Sequence, residues 1–130
     1  MKRGDVFTHF FTLSEDVYSD FINAFHDRNP LHISRDFALS KGFKDKVMHG
    51  NILGGFLSYF VGECLPVKNV IIISENFVFK NPIYPNQTLL FQAKIKEFYQ
   101  SVKVFDFTFS FLDPVEKTIF AKGELRICYV

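Results

Sequence analysis

From Asn51 to Leu65 (NILGGFLSYFVGECL) the chain is apolar on nearly every side, with Glu63 its only charge and Pro66 as its stop. A helix without a polar face cannot rest on the surface of a domain, so other parts of the chain have to wrap it. The stretch is also shorter than the roughly 20 apolar residues that a bilayer span requires. Gly54, Gly55 and Gly62 stand inside it, and each costs a helix roughly 1 kcal/mol relative to Ala. That cost is tolerable where neighbouring backbone packs closely against them. The expectation is a central helix, wrapped all round and gripped at its glycines.

The second half of the sequence supplies the wrapping. Asn69 to Lys80 (NVIIISENFVFK), Gln87 to Tyr99, Val102 to Leu112 and Thr118 to Val130 read as four long strands. They are separated by NPIYPN, by a tight turn near Gln100 and Ser101, and by DPVEK. In the third, Phe105, Phe107, Phe109 and Phe111 alternate with Asp106, Thr108 and Ser110, which predicts one aromatic face and one polar face. Near the start, Asp5 to Leu13 (DVFTHFFTL) reads as a further strand. Ser14 then caps a helix whose first turn carries Glu15 and Asp16, where the dipole favours negative charge. Val17, Tyr18, Phe21, Ile22 and Phe25 form its apolar face, and it ends at His26. A second short helix runs from the cap Ser34 through Leu39 and is closed by Gly42. Strand, helices, buried helix and four strands make an α+β layout, one domain over residues 1–130 with no linker or repeat.

Composition narrows the partners. At 130 residues a domain buries about two thirds of its unfolded surface around one core. Fifteen basic against 14 acidic residues leave a formal charge of +1, which gives no electrostatic case for nucleic acid or an anionic membrane as partner. Cys64 and Cys128 lie in apolar surroundings without a metal-ligand spacing, as reduced buried thiols of a cytoplasmic protein do. The opening MKRGDVFTHF reaches Asp5 and His9 before any apolar run, so no signal peptide is expected. The 18 Phe, with no Trp, are first of all core material.

Between the two helices stands HDRNPLH, residues 26–32. Pro30 pushes the residue before it into an extended shape, so the chain turns here and Asp27 and His32 can face one point. A carboxylate and an imidazole converging on one spot can hold a water and move its protons. Each residue also has an ordinary structural use: Asp27 as the cap of the following turn, Asn29 in an Asx-turn, and His32 as a satisfied, partly buried side chain. Further on, MHGN (48–51) sets Gly50 at the mouth of the apolar helix. Backbone N–H groups at that positive end suit a developing oxyanion, although a glycine also serves a tight helix entry.

The combination DxNPLH, Ala38, GF at 42–43, VMHG and a glycine-bearing apolar helix resembles the MaoC-like, R-specific enoyl-CoA hydratase family. ENFVFKNPIYPNQTL (75–89) is similar to that family's strand, proline loop and next strand, so the resemblance covers nearly the whole chain. It implies a hot-dog fold, an antiparallel five-stranded sheet around the helix of residues 50–64, in a homodimer whose sheets join edge to edge. Higher homo-oligomers are compatible with it. It also implies that Asp27 and His32 activate water, that Asn29 supports the loop, and that the Gly50 amide meets the thioester carbonyl. His49, Asn51 and Phe79 would contact substrate, and Lys80 and Arg28, on position alone, are candidates to meet the carrier's anionic arm. The chain departs from the family at His26, where a small residue is usual before the aspartate, and at Asn51, where Met or Leu often follows the glycine.

The activity so implied is reversible hydration of trans-2-enoyl thioesters, or dehydration of (R)-3-hydroxyacyl thioesters, carried on CoA or a carrier protein. No cofactor is expected beyond that carrier. No metal is expected either, since His9, His26, His32 and His49 show no ligand spacing with cysteine. Two alternatives remain open: a thioesterase on the same fold, and a non-catalytic module that binds acyl thioesters.

Overall fold

The computed structural model describes residues 1–130. Its elements run β1 (Val6–Thr12), α1 (Glu15–Phe25), α2 (Pro30–Ile33), α3 (Arg35–Ser40), α4 (Ile52–Tyr59), then β2 (Val70–Phe79), β3 (Thr88–Tyr99), β4 (Val104–Leu112) and β5 (Ile119–Tyr129). All strand pairs are antiparallel and form one sheet in the order β1-β3-β4-β5-β2. β1 and β2 are therefore its edges. The α+β layout and the five-stranded antiparallel sheet implied by the resemblance are both present. β4 starts two residues later than the alternation predicts, because Lys103 takes a left-handed conformation (φ 56) in the turn that follows Tyr99.

The inner face of the sheet is aromatic. Phe91 of β3 and Phe105, Phe107, Phe109 and Phe111 of β4 are all buried, as the alternation requires. Phe60 meets them from the helix side, 4.7 Å from the Phe91 ring and 6.1 Å from Phe107. Burying one such side chain stabilises the fold by roughly 1.5–3 kcal/mol relative to leaving it exposed.

α4 is embraced on one side only, which differs from the wrapping expected of it. Ile52, Leu53, Leu57, Phe60 and Val61 are buried, whereas Gly55, Ser58, Tyr59 and Gly62 are exposed. A side chain at Gly54, Gly55 or Gly62 would meet no atom within 4 Å, so no backbone grips the helix at these positions in a single chain. The helix closes by widening into π-helical turns over Phe60–Cys64, where the Leu65 N–H reaches back to the Phe60 carbonyl. Close approach occurs instead at Gly123 on β5, where a Cβ would stand 1.8 Å from the Asn76 carbonyl oxygen of β2.

Candidate active site

α1 starts at the expected cap: the Ser14 hydroxyl accepts the Val17 N–H. It stops at His26, which adopts a left-handed conformation (φ 62) and donates its N–H to the Ile22 carbonyl. From there the motif folds onto itself. Oδ1 of Asp27 accepts the Asn29 N–H at 3.1 Å, and Oδ1 of Asn29 accepts the Leu31 N–H at 3.0 Å. Asn29 is extended (φ −53, ψ 135), as a residue before proline should be, and so caps α2 with Pro30 as its first residue. This extra helical turn, absent from the sequence reading, carries His32. The ordinary structural uses of Asp27 and Asn29 thus coexist with a particular aim for the remaining carboxylate oxygen.

That oxygen, Oδ2 of Asp27, lies 3.7 Å from Nε2 of His32. Nδ1 of His32 is 2.6 Å from the Val47 carbonyl oxygen. A carbonyl only accepts, so Nδ1 carries the proton and Nε2 of the neutral ring turns its lone pair toward Asp27. Two acceptors at this separation do not bond to each other, and a water or hydroxyl between them could donate to either. The backbone holds the ring in place: the Val47 N–H donates to the Leu31 carbonyl, and the Tyr18 hydroxyl donates to the carbonyl of His32 itself.

His49 lies behind this pair. It is 2% exposed, its ring stacks on His32 at 3.9 Å, and its Nε2 is 2.8 Å from the Asp27 backbone carbonyl. Nε2 therefore donates, which leaves Nδ1 as a buried acceptor without a partner. Burial pushes the imidazole below its ordinary pKa, as would a positive charge on His32, while the bond to the Asp27 carbonyl and the Asp27 carboxylate act the other way. Ligand atoms of Asp27, His32 and His49 all lie within 4.8 Å of one another, close enough for a metal ion. Sequence spacing gave no sign of this cluster, because His49 arrives from a loop tied to the 80s by the Met48 N–H to Ile83 carbonyl bond. A metal would compete there with the Asp27 carbonyl for Nε2 of His49.

Gly50 precedes α4, whose first turn is tight, with Leu53 N–H on the Gly50 carbonyl and Gly54 N–H on that of Asn51. The Gly50 N–H itself donates to no backbone carbonyl. A Cβ at this position would fall 2.8 Å from the Phe79 ring, so glycine is what lets Phe79 cover the helix mouth.

Two hollows open beside these residues. One, of about 680 Å³ between α1 and α4, is lined by Val17, Phe21, Phe25, Ile52 and Phe56, with Asp27 and Asn51 among its polar members. The other, of about 350 Å³, is lined by His32, Gly50, Phe79 and Lys80 together with Met48 and Ile83. Of the residues singled out in the sequence, Asn51 faces the first hollow, Phe79 and Lys80 the second, and His49 neither. Asn29 is spent on capping.

A sheet curled over one helix, with a carboxylate and an imidazole at the helix mouth, defines a hot-dog protein. The (R)-hydratase from A. caviae superposes with a TM-score of 0.90 at 19% identity, over 100% of this chain and 98% of that one. A model of the MaoC like domain matches residues 7–115. The chain belongs to the MaoC-like family. It is 30% identical over 103 residues to an (R)-specific enoyl-CoA hydratase of Rhodospirillum rubrum, covering 68% of this chain and 71% of that protein. A mitochondrial 3-hydroxyacyl-[acyl-carrier-protein] dehydratase of Arabidopsis thaliana is 24% identical over 90 residues, 69% of this chain and 53% of its own length.

Proposed function

We propose that this protein is a hydro-lyase that adds water reversibly to trans-2-enoyl thioesters, giving (R)-3-hydroxyacyl thioesters. The observation that carries the reading is the facing of two acceptors, Oδ2 of Asp27 and Nε2 of His32, at 3.7 Å. Water between them donates a hydrogen to each. As its oxygen bonds to C3, the pair accepts one proton and a proton is delivered to C2, so the pair ends the cycle as it began. Negative charge that develops meanwhile on the thioester oxygen is met by the Gly50 N–H, at the positive end of α4. Asn29 keeps Asp27 in register through the bonds described above. The names of the related hydratases and dehydratases support the same reaction and its R stereochemistry.

The chemistry asks for no metal or organic cofactor, only for CoA or a phosphopantetheine arm as the substrate's carrier. Lys80 stands where the second hollow opens, and that hollow suits the arm. We further propose a homodimer joined edge to edge. The Asp27 side chain is 51% exposed in the single chain, and a partner would shield the site from bulk water.

Mixing the protein with crotonyl-CoA should bleach the absorbance of the conjugated thioester without release of free thiol. A positioned acid or base contributes about 10²- to 10⁴-fold, so Asp27→Asn and His32→Ala should each lose activity within that span. Thiol release would favour a thioesterase. Near-full activity in both variants would sink the mechanism.

A further inference from the structure

His32 rides on α2, a single turn of four residues, Pro30–Ile33, and a helix that short does not hold its shape on its own. Within the turn and its cap, the His32 N–H donates to the Asn29 carbonyl and the Ser34 N–H to that of Pro30. The next two carbonyls are met from outside, Leu31 by the Val47 N–H and His32 by the Tyr18 hydroxyl at 2.8 Å. These two donors, with the Val47 carbonyl on Nδ1, decide where the imidazole stands.

Of the two, Tyr18 ties His32 to Asp27. It belongs to α1, the helix that ends at His26 directly before Asp27. The bond spans 14 positions and closes a loop with Asp27 inside it, so carboxylate and imidazole hang from one helix. The Tyr18 ring is half-buried against the core and has the Lys46 ammonium 4.7 Å over its face. A phenylalanine would meet both of those demands. What the hydroxyl adds is the bond to His32. Burial pushes its pKa above the ordinary tyrosine value, and Glu15 adds to the effect, so the group remains a donor around neutral pH. Tyr18 lines neither of the two hollows beside Asp27 and His32.

We propose that Tyr18 is a positioning residue of the active site, whose hydroxyl, acting through the His32 carbonyl, holds the imidazole facing Asp27 at the separation that admits a water. This rests on the hydratase reading for the reaction the pair performs. Because Tyr18 stands outside both hollows, its loss falls on the chemical step and spares substrate binding.

The test compares the unaltered protein, Tyr18→Phe, His32→Ala and the double variant on crotonyl-CoA. A misplacement of about 1 Å can cost about 10²-fold, so Tyr18→Phe should lower kcat by roughly ten- to a hundredfold. KM should stay within about twofold, and the melting temperature should fall by about 5 °C or less. In the double variant the loss should equal that of His32→Ala alone, because a residue that acts through His32 then has nothing to position. An unaltered kcat in Tyr18→Phe would overturn the proposal. Losses that multiply in the double variant would do the same and assign the hydroxyl to the fold at large. Nitrogen NMR of the imidazoles reads the positioning without turnover: His32 should be a single Nδ1–H tautomer in the unaltered protein and a mixture in Tyr18→Phe. A mixture already present in the unaltered protein, or a tautomer unmoved by the substitution, would also overturn the proposal. A single tautomer that Tyr18→Phe releases, in a protein that hydrates no enoyl thioester, would leave the positioning standing and remove the hydratase reading instead.

Discussion

At Asp27 one side chain does two things at once. Oδ1 holds the loop through the Asn29 N–H, which frees Oδ2 to face His32. His49 touches both, through the Asp27 carbonyl and the ring stacked on His32. Its titration should be visible in stability. Burial lowers the folded-state pKa of His49, whereas the unfolded chain protonates this ring at about 6.5. The unfolded state then binds more protons as the pH falls, so the contribution is fully present above about pH 6.5 and declines below it. Melting temperatures followed from about pH 8 down to about pH 5 should drop less steeply in His49→Gln than in the unaltered protein. Parallel curves would show that His49 does not link folding to pH. Among single residues, the sequence was informative where chemistry and local geometry coincide. Pro30 and Asn29 announce the turn, and Asp27 and His32 then face each other because of it. His49 was legible only as a neighbour of Gly50, since its contact with Asp27 crosses 22 positions and depends on where the Met48 loop docks.

Among the elements, the strands were readable because alternation is a local property of the pleat. β4 needs no tertiary knowledge to separate Phe105, Phe107, Phe109 and Phe111 from its polar residues. On the outer face of the same strand the Asp106 carboxylate accepts from Nε and Nη2 of Arg126 on β5, and that hydrogen bonding keeps its pKa below the ordinary range. α4 was harder to read. Its uniform apolarity predicts burial, but which face would be left open depends on the curl of the sheet and on how far α1 stands away. Gly123 shows the reverse case, an unremarked glycine in a strand that turns out to sit under the backbone of β2. Gly123→Ala should force β2 and β5 apart and lower stability by about 1–3 kcal/mol, read as an earlier midpoint in urea. An unchanged midpoint would mean that Asn76 moves aside freely. No helix in the structure is long and apolar enough to cross a membrane.

At the scale of the whole molecule the sheet has two bare edges, and β2 is the more apolar. Ile71, Ile73, Val78 and Phe79 are all substantially exposed along it. Paired edge to edge with the β2 of a second copy, the strand's backbone would continue the sheet and these side chains would gain cover on its two faces. Light scattering should therefore give twice the mass of the 15.1 kDa chain. Ile71→Lys together with Ile73→Lys should return it to a monomer, and a dimer that survives both changes would need another seam. The sequence implied the dimer only through family likeness, because an edge strand and an interior strand share one alternation and differ in what lies beside them. An unpaired β2 also offers its N–H and C=O groups to any extended chain that drifts past: no proline interrupts it, and its one irregularity is the register shift between Ile72 and Ser74. Storage should thus be safest in concentrated solution. On dilution, chains that lose the proposed partner would become templates for disordered strand addition, and the protein would be lost to precipitation before it unfolds.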